Sequence, residues 1–167
     1  PWEAKLFGFG NVIEEGGFHA VVGNPPYIEV KRYKEWMPAM YEYLKRSGRY
    51  VTTDQGKTDV AMPFMELGVG LLRNDGRLGF IIQNRFFKTE YGAATRRWLR
   101  KNRLLESVED FRDIQVFPNR TTYTTILVLQ SGRPSFEYRT YDNLTMAETD
   151  EPSVKARIKF TFSSRVV

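Results

Sequence analysis

The 167-residue chain has no cysteine and a single histidine, His19. Without cysteine there are no disulfides, no thiol nucleophile and no cysteine-based zinc site. One histidine leaves little for a His-rich metal site or a His-based nucleophile relay. No apolar run approaches the ~18–20 residues of a membrane span, and no signal peptide is visible. Internal repeats and low-complexity segments are also missing. What remains is ordinary for a globular domain: 41% hydrophobic and 27% charged residues, a composition that argues against disorder. The length fits one domain with a core of its own.

The net charge of +5 is unevenly distributed. Residues 31–50 hold six basic side chains against two acidic, interleaved with Tyr33, Trp36, Tyr41, Tyr43 and Tyr50. Residues 85–103 hold seven basic against one acidic, and residues 137–152 are acidic. Basic stretches mixed with aromatics suit a polyanion such as nucleic acid. They equally suit a solvated helix face whose aromatics turn to the core.

Periodicity gives a coarse order of elements. Phe18–Val22 is a bounded apolar run and reads as a strand. Residues 34–46 read as a helix and Ser47–Lys57 as a loop. Asp59 caps a nearly all-apolar helix to about Arg73, expected to be deeply buried. Asn74-Asp75-Gly76 is a turn, Leu78–Ile82 a second strand, and Thr89 caps a helix to about Lys101. Leu104–Phe111 and Tyr123–Leu129 are further strands, expected to be antiparallel and at one edge. Phe136–Tyr141 and Ile158–Phe162 are strand-like pieces. Strands alternating with helices indicate an α/β domain with a largely parallel sheet.

Asn24-Pro25-Pro26-Tyr27 directly follows the first strand, where open α/β sheets bind ligands. The Asn24 carboxamide oxygen can accept a hydrogen bond from an amino group. Pro25 stiffens the turn and offers only its carbonyl. Two convergent acceptors can bind an –NH2 group and raise the electron density on its nitrogen. Tyr27 provides a flat ring for stacking on a base. The plainer alternative is a stiff turn with a packed tyrosine.

Gly23-Asn24-Pro25-Pro26-Tyr27 resembles the catalytic motif of amino-group methyltransferases that use S-adenosylmethionine. The likeness extends through Lys57-Thr58-Asp59, Gly76–Ile82, Asn84-Arg85-Phe86, Tyr91-Gly92 with Arg97, Val116-Phe117-Pro118 and Thr121–Leu129. Over residues 2–131 the set resembles the adenine-N6 DNA methyltransferases of bacterial restriction–modification systems, especially the large single-chain restriction–methylation enzymes. The resemblance implies a fold: the C-terminal half of a Rossmann-like sheet, strands 4 to 7 with flanking helices, in three α/β/α layers. It implies that residues 1–131 are the catalytic half of the methyltransferase domain. Residues 132–167 would be a strand-like tail or linker toward a target-recognition domain.

The same resemblance implies roles. Asn24 and the Pro25 carbonyl would accept hydrogen bonds from the amino group of a flipped adenine, within a catalytic motif that includes Pro26. Such bonds favour the tetrahedral nitrogen of the transition state. Tyr27 would stack on the base and Phe117 would contact it from the other side. Phe64, with Asn24, would contact the cofactor S-adenosyl-L-methionine. Lys31, Arg32 and Lys34 would meet the backbone of double-stranded DNA, and no metal is involved. Two positions depart from the pattern: His19 stands where relatives carry Asp, and Gln83 where they carry Pro.

The cofactor half, with its Gly-rich turn and ribose-binding acid, is expected earlier in a longer chain. Only 23 residues precede Asn24, and Phe7-Gly8-Phe9-Gly10 lacks the preceding strand. Pro1 therefore reads as a cut end and the fragment as inactive alone. Its partners would be the rest of the methyltransferase chain, DNA and a possible nuclease domain, with no membrane. The location would be the cytoplasm of a bacterium or archaeon. Two alternatives stay open: a protein-glutamine methyltransferase, and a non-catalytic fragment that binds DNA or a partner.

Overall fold

The structure is a computed structural model that describes residues 4, 8–28, 30–53, 59–118, 123–141 and 156–162; the side chains of Val30, Lys31 and Ala156 lie outside that description. A short helix, α1 (Gly10–Glu14), leads into β1 (Phe18–Gly23). The helix expected over 34–46 is instead two, α2 (Val30–Trp36) and α3 (Pro38–Arg46). The break has a covalent cause. Pro38 excludes helical geometry at the residue before it, and Met37 sits at φ −141°, ψ 68°. A 3-10 turn at Val51–Thr53 follows, tied to the next helix by the Glu66 carboxylate, which accepts the Val51 and Thr52 N–H groups at 3.1 and 3.0 Å.

Helix α4 (Ala61–Gly70) is shorter than the expected span to Arg73, because β2 (Leu72–Gln83) begins at once. The Asp59 side chain accepts the Ala61 N–H at 2.9 Å and so supports the helix start. The helix is not buried all round: Phe64 is 46% exposed. The Asn74-Asp75-Gly76 turn lies inside β2 as a bulge. Three residues of β1 (Phe18 to Ala20) face six of β2 (Leu72 to Arg77), so the extra residues must loop out. Two 3-10 turns (Asn84–Phe87 and Glu90–Gly92) then lead to α5 (Ala93–Lys101). The Thr89 hydroxyl does not cap that helix; it donates back to the Arg85 carbonyl at 2.9 Å. The remaining elements are β3 (Leu105–Gln115), β4 (Tyr123–Leu129), β5 (Ser135–Thr140) and β6 (Ala156–Thr161).

The strands form one mixed sheet in the order β1-β2-β4-β3-β5-β6. β1 runs parallel to β2, and β3 parallel to β5; the β2–β4, β4–β3 and β5–β6 pairs are antiparallel. The antiparallel β3–β4 pair is as expected, but it is interior rather than at an edge, because β5 and β6 continue the sheet beyond β3. The strand pieces at Phe136–Tyr141 and Ile158–Phe162 are thus part of this sheet. The architecture is a Rossmann-like α/β sheet with flanking helices.

The pleat sorts residues to two faces. Leu78, Phe80 and Ile82 share a face with their partners Leu129, Leu127 and Thr125, and with Leu105, Val108 and Asp110 of β3. Helices α4 and α5 cover this face, and Met62, Met65 and Leu99 complete its core. Close approach of α4 depends on Gly68, where a Cβ would fall 2.5 Å from a Leu78 methyl. No helix among the described residues is long and apolar enough to cross a membrane.

Candidate active site

The parallel β1–β2 pair and the antiparallel β4 and β3 bring four chain segments to one end of the sheet. These are Asn24 after β1, Asn84 after β2, Phe117 after β3, and Tyr123 at the start of β4. At that end β1 finishes at Gly23, opposite Phe80. A Cβ on Gly23 would lie 3.1 Å from the Phe80 ring, so a glycine there lets the strand end tightly against β2.

The chain then crosses over β2. The Tyr27 hydroxyl donates to the Ile81 carbonyl at 3.0 Å, beyond the last residue that β1 pairs. One residue on, the Ile28 carbonyl accepts the Val60 N–H at 2.9 Å, fixing the loop to the start of α4. Pro25 is buried, whereas Asn24 and Pro26 are exposed. Neither the Asn24 carboxamide nor the Pro25 carbonyl has a hydrogen-bond partner among the described residues. The loop therefore presents two adjacent, unused acceptors on a backbone stiffened by two prolines and pinned at its far end. The Tyr27 ring is half-buried against the core. Burial, and then the nearby Asp59 charge, push its hydroxyl up to about 12, so it stays a neutral donor.

Phe64 lies on α4, the helix whose start binds this loop. It is one turn beyond Val60, which holds Ile28, and one turn before Gly68, which packs on Val21 and Phe80. Its ring is exposed, a flat apolar surface on the helix to which the loop is bound. Phe117 is half-buried at the same end of the sheet. It follows β3, two strand spacings from β2, where Tyr27 is held, or ~10 Å sideways. The sheet alone does not bring it against Tyr27. Arg32 and Lys34 are exposed on α2, just after the motif, and form no ion pair among the described residues. The Lys31 side chain lies outside them. His19 is at the opposite end of β1, 2.5 Å from the Arg73 guanidinium, and takes no part in this site.

The sequence reading missed a buried polar cluster. Asp110 is buried in β3 and gathers three donors: the Asn84 amide at 2.9 Å, the Arg112 N–H at 3.0 Å and the Tyr138 hydroxyl. Burial first, and then the bond to Asp110, push Tyr138 up to about 12. A signal was present: a carboxylate at an inward position of the alternating run Leu105–Phe111 needs partners. Of the acidic stretch 137–152, residues 142–152 lie outside the described residues, which leaves Glu137 as its described acidic side chain. Glu137 is paired with Arg139 at 2.5 Å and Arg157 at 2.8 Å, which hold its carboxyl below the usual range. Arg139 also meets Glu109 at 2.8 Å, and the Tyr141 hydroxyl donates to Glu109 at 2.7 Å. Of the aromatics after the motif, Tyr33, Tyr41 and Tyr50 pack on Leu44 and Val60, while Trp36 stays 65% exposed.

Comparison with known proteins gives the family and the fold. The profile of the Eco57I restriction-modification methylase family matches residues 2–117. The chain is 34% identical over 112 residues to the type II restriction enzyme and methyltransferase RM.Eco57I of Escherichia coli, covering 67% of this chain and 11% of that protein. It is 33% identical over 144 residues to the type II methyltransferase M.XhoI of Xanthomonas vasicola, covering 83% of this chain and 25% of that one. In fold it resembles the type IIG restriction endonuclease BpuSI, with a TM-score of 0.60 and 19% identity over 89% of this chain and 20% of that one. The chain thus spans a quarter or less of the length of these relatives.

Proposed function

Because the chain belongs to the Eco57I restriction-modification methylase family, we propose that it is the catalytic half of a DNA adenine-N6 methyltransferase within a longer protein. In this reading residues 1–131 carry the catalytic half, and residues 132–167 lead toward a target-recognition domain. The observation that carries the proposal is the pair of unpartnered acceptors, Asn24 and the Pro25 carbonyl, at the carboxyl end of β1. An exocyclic amine has two N–H donors to match them.

The methylase family implies S-adenosyl-L-methionine as cofactor, which supplies a methyl group activated on a sulfonium. The residues present fit one side of it: Phe64 would offer its exposed ring to an adenine, and Asn24 would approach from the loop bound to the start of the same helix. The chain's own part is positioning. Asn24 and Pro25 hold the amino group and favour its tetrahedral form over the flat conjugated one, so they act differentially in the transition state. The bond from Tyr27 to Ile81 fixes the plane of the ring on which an extruded base would stack. Arg32 and Lys34, with Lys31, would face the backbone of double-stranded DNA. Most of the cofactor's contacts would come from other parts of the longer chain, so this fragment alone should not turn over. Such an enzyme would work in the cytoplasm of a bacterium or archaeon.

The test is Asn24→Ala in the longer protein, read by methyl incorporation into an adenine-containing duplex. The expected result is a loss of about 10²–10³-fold in rate, the usual cost of one transition-state hydrogen-bonding group, with duplex binding nearly unchanged. Near-normal methylation would refute the mechanism. Methylation of cytosine or of a protein amide instead would keep the site and change its substrate.

A further inference from the structure

A concavity that none of Asn24–Tyr27 lines lies on the sheet face that α5 covers, with Asn84 among its lining residues. It runs between α5 and the β5–β6 pair and encloses about 510 Å3, a volume in the usual range for a ligand site. Its floor is aromatic, formed by Phe87, Phe136, Tyr138 and Phe160. Phe136 and Phe160 are stacked, with centroids 5.1 Å apart and 19° between planes, and Tyr138 meets Phe160 edge-on. Phe160 is 42% exposed, so ring surface stays open.

The charge around this floor is one-sided. Asp110 is the one carboxylate in the lining, and its oxygens are already taken by Asn84, Arg112 and Tyr138. Arg96 is likewise committed, to the Phe86 and Thr89 carbonyls. Lys88 and Arg100 line the groove, are exposed, and form no ion pair among the described residues. Arg97 and Lys101 are also exposed on the same helix and form no ion pair among the described residues; at helical spacing Arg97 is a neighbour of both Arg100 and Lys101.

A neutral apolar ligand would use the rings and leave the cations idle. An acidic protein surface would use the cations and leave the rings idle. In a duplex the base faces are covered by one another. A single strand uses both features, since its bases stack on aromatic rings while its phosphates pair with Lys and Arg. We propose that this groove binds single-stranded DNA, with an unstacked base on the Phe160–Phe136 pair and phosphates at Lys88 and Arg100. None of the lining residues belongs to the Asn24–Tyr27 motif.

Fluorescence anisotropy of the 167-residue chain with a labelled oligo-dT, and with a duplex of equal length, tests this across a salt series. The single strand should bind more tightly than the duplex. Phe160→Leu should weaken oligo-dT binding roughly tenfold, Phe160→Trp should preserve it, and duplex binding should respond to neither. The double substitution Lys88→Ala/Arg100→Ala should flatten the log–log salt slope by about 1.4, or ~0.7 per lost phosphate contact on a single strand. If Phe160→Leu fails to fold by circular dichroism, the Lys88/Arg100 variant carries the same decision. An unlabelled duplex that displaces the labelled oligo-dT as well as unlabelled oligo-dT does would overturn the proposal. So would binding that ignores both positions, or tighter binding of a poly-glutamate peptide.

Discussion

β1 and β4 are both short, β-branched, apolar runs, yet they end in different surroundings. In β4, Leu127 and Leu129 are fully buried, as are Thr124 and Thr125. In β1, Val22 is 82% exposed. β4 has a paired strand on each side, while β1 is paired only with β2 among the described residues. Each fully buried aliphatic side chain contributes about 1.5–3 kcal/mol, so the β4 side carries most of the cohesion. The motif side is held by a few directed bonds: Tyr27 to Ile81, Val60 to Ile28, and Ala61 to Asp59. The difference separates the residues that hold the fold from those that present unused polar atoms. The packed strands turn even their polar side chains inward: the Thr125 hydroxyl donates to the Glu109 carbonyl at 2.9 Å, and the Thr124 hydroxyl is buried without a partner. The strand paired on one side among the described residues leads to Asn24, whose side chain is exposed.

Substitutions can break or sharpen this contrast. The largest effect expected is the 10²–10³-fold activity loss of Asn24→Ala given above, and its urea midpoint should stay within about 0.5 kcal/mol of the parent, since an exposed, unpartnered side chain supports nothing. The inverse pattern is expected on the β3–β5 side. Asp110→Ala strands the Asn84 amide and the Tyr138 hydroxyl and should cost about 2–4 kcal/mol in urea unfolding. A cost under 0.5 kcal/mol would show that the buried cluster is not holding these strands. Gly68→Ala drives a methyl into Leu78 and should cost about 1–3 kcal/mol; an unchanged thermal midpoint would mean that α4 shifts freely. Tyr27→Phe removes one hydrogen bond and keeps the ring, so about 1 kcal/mol is expected, with any loss of methyl transfer far below that of Asn24→Ala.

The smallest effect is that of alkaline pH. Tyr27, Tyr138 and Tyr141 are each raised from 10.0 to about 12, chiefly by burial. The folded chain holds these protons more tightly than the unfolded one, so unfolding releases them above about pH 10. Their stabilising contribution is full below about 10 and is lost as pH rises toward 12. Urea midpoints should be flat on the neutral side of that window and fall within it. In Tyr138→Phe the fall should be shallower; an identical fall would exclude this tyrosine as its source.

Much of the site was legible from residue chemistry. An Asn-Pro-Pro-Tyr run after an apolar strand states its own position and stiffness. Strand existence was legible too, because alternation in Phe136–Tyr141 survives in a polar tail. What failed was geometry set by neighbours. Pro38 split one helix into two, and the Asn74–Gly76 turn became a bulge because β1 is shorter than the stretch of β2 it faces. The β3–β4 pair lost its edge position once β5 and β6 had joined the sheet. The Asp110 cluster joins residues 26 and 28 positions apart, and no local pattern encodes such a meeting.

By itself the sequence determined the alternation of strands and helices, the stiff motif after β1 and the excess of positive charge, because each rests on local chemistry and spacing. The tertiary structure decided which side chains are spent and which are free. It ties the Tyr27 hydroxyl to Ile81 and commits Asp110 to three donors, yet leaves Asn24, Lys88 and Arg100 without partners among the described residues. Pairing between residues far apart in the chain is a property of the packed sheet, and it is this pairing that separates structural groups from those available to a ligand.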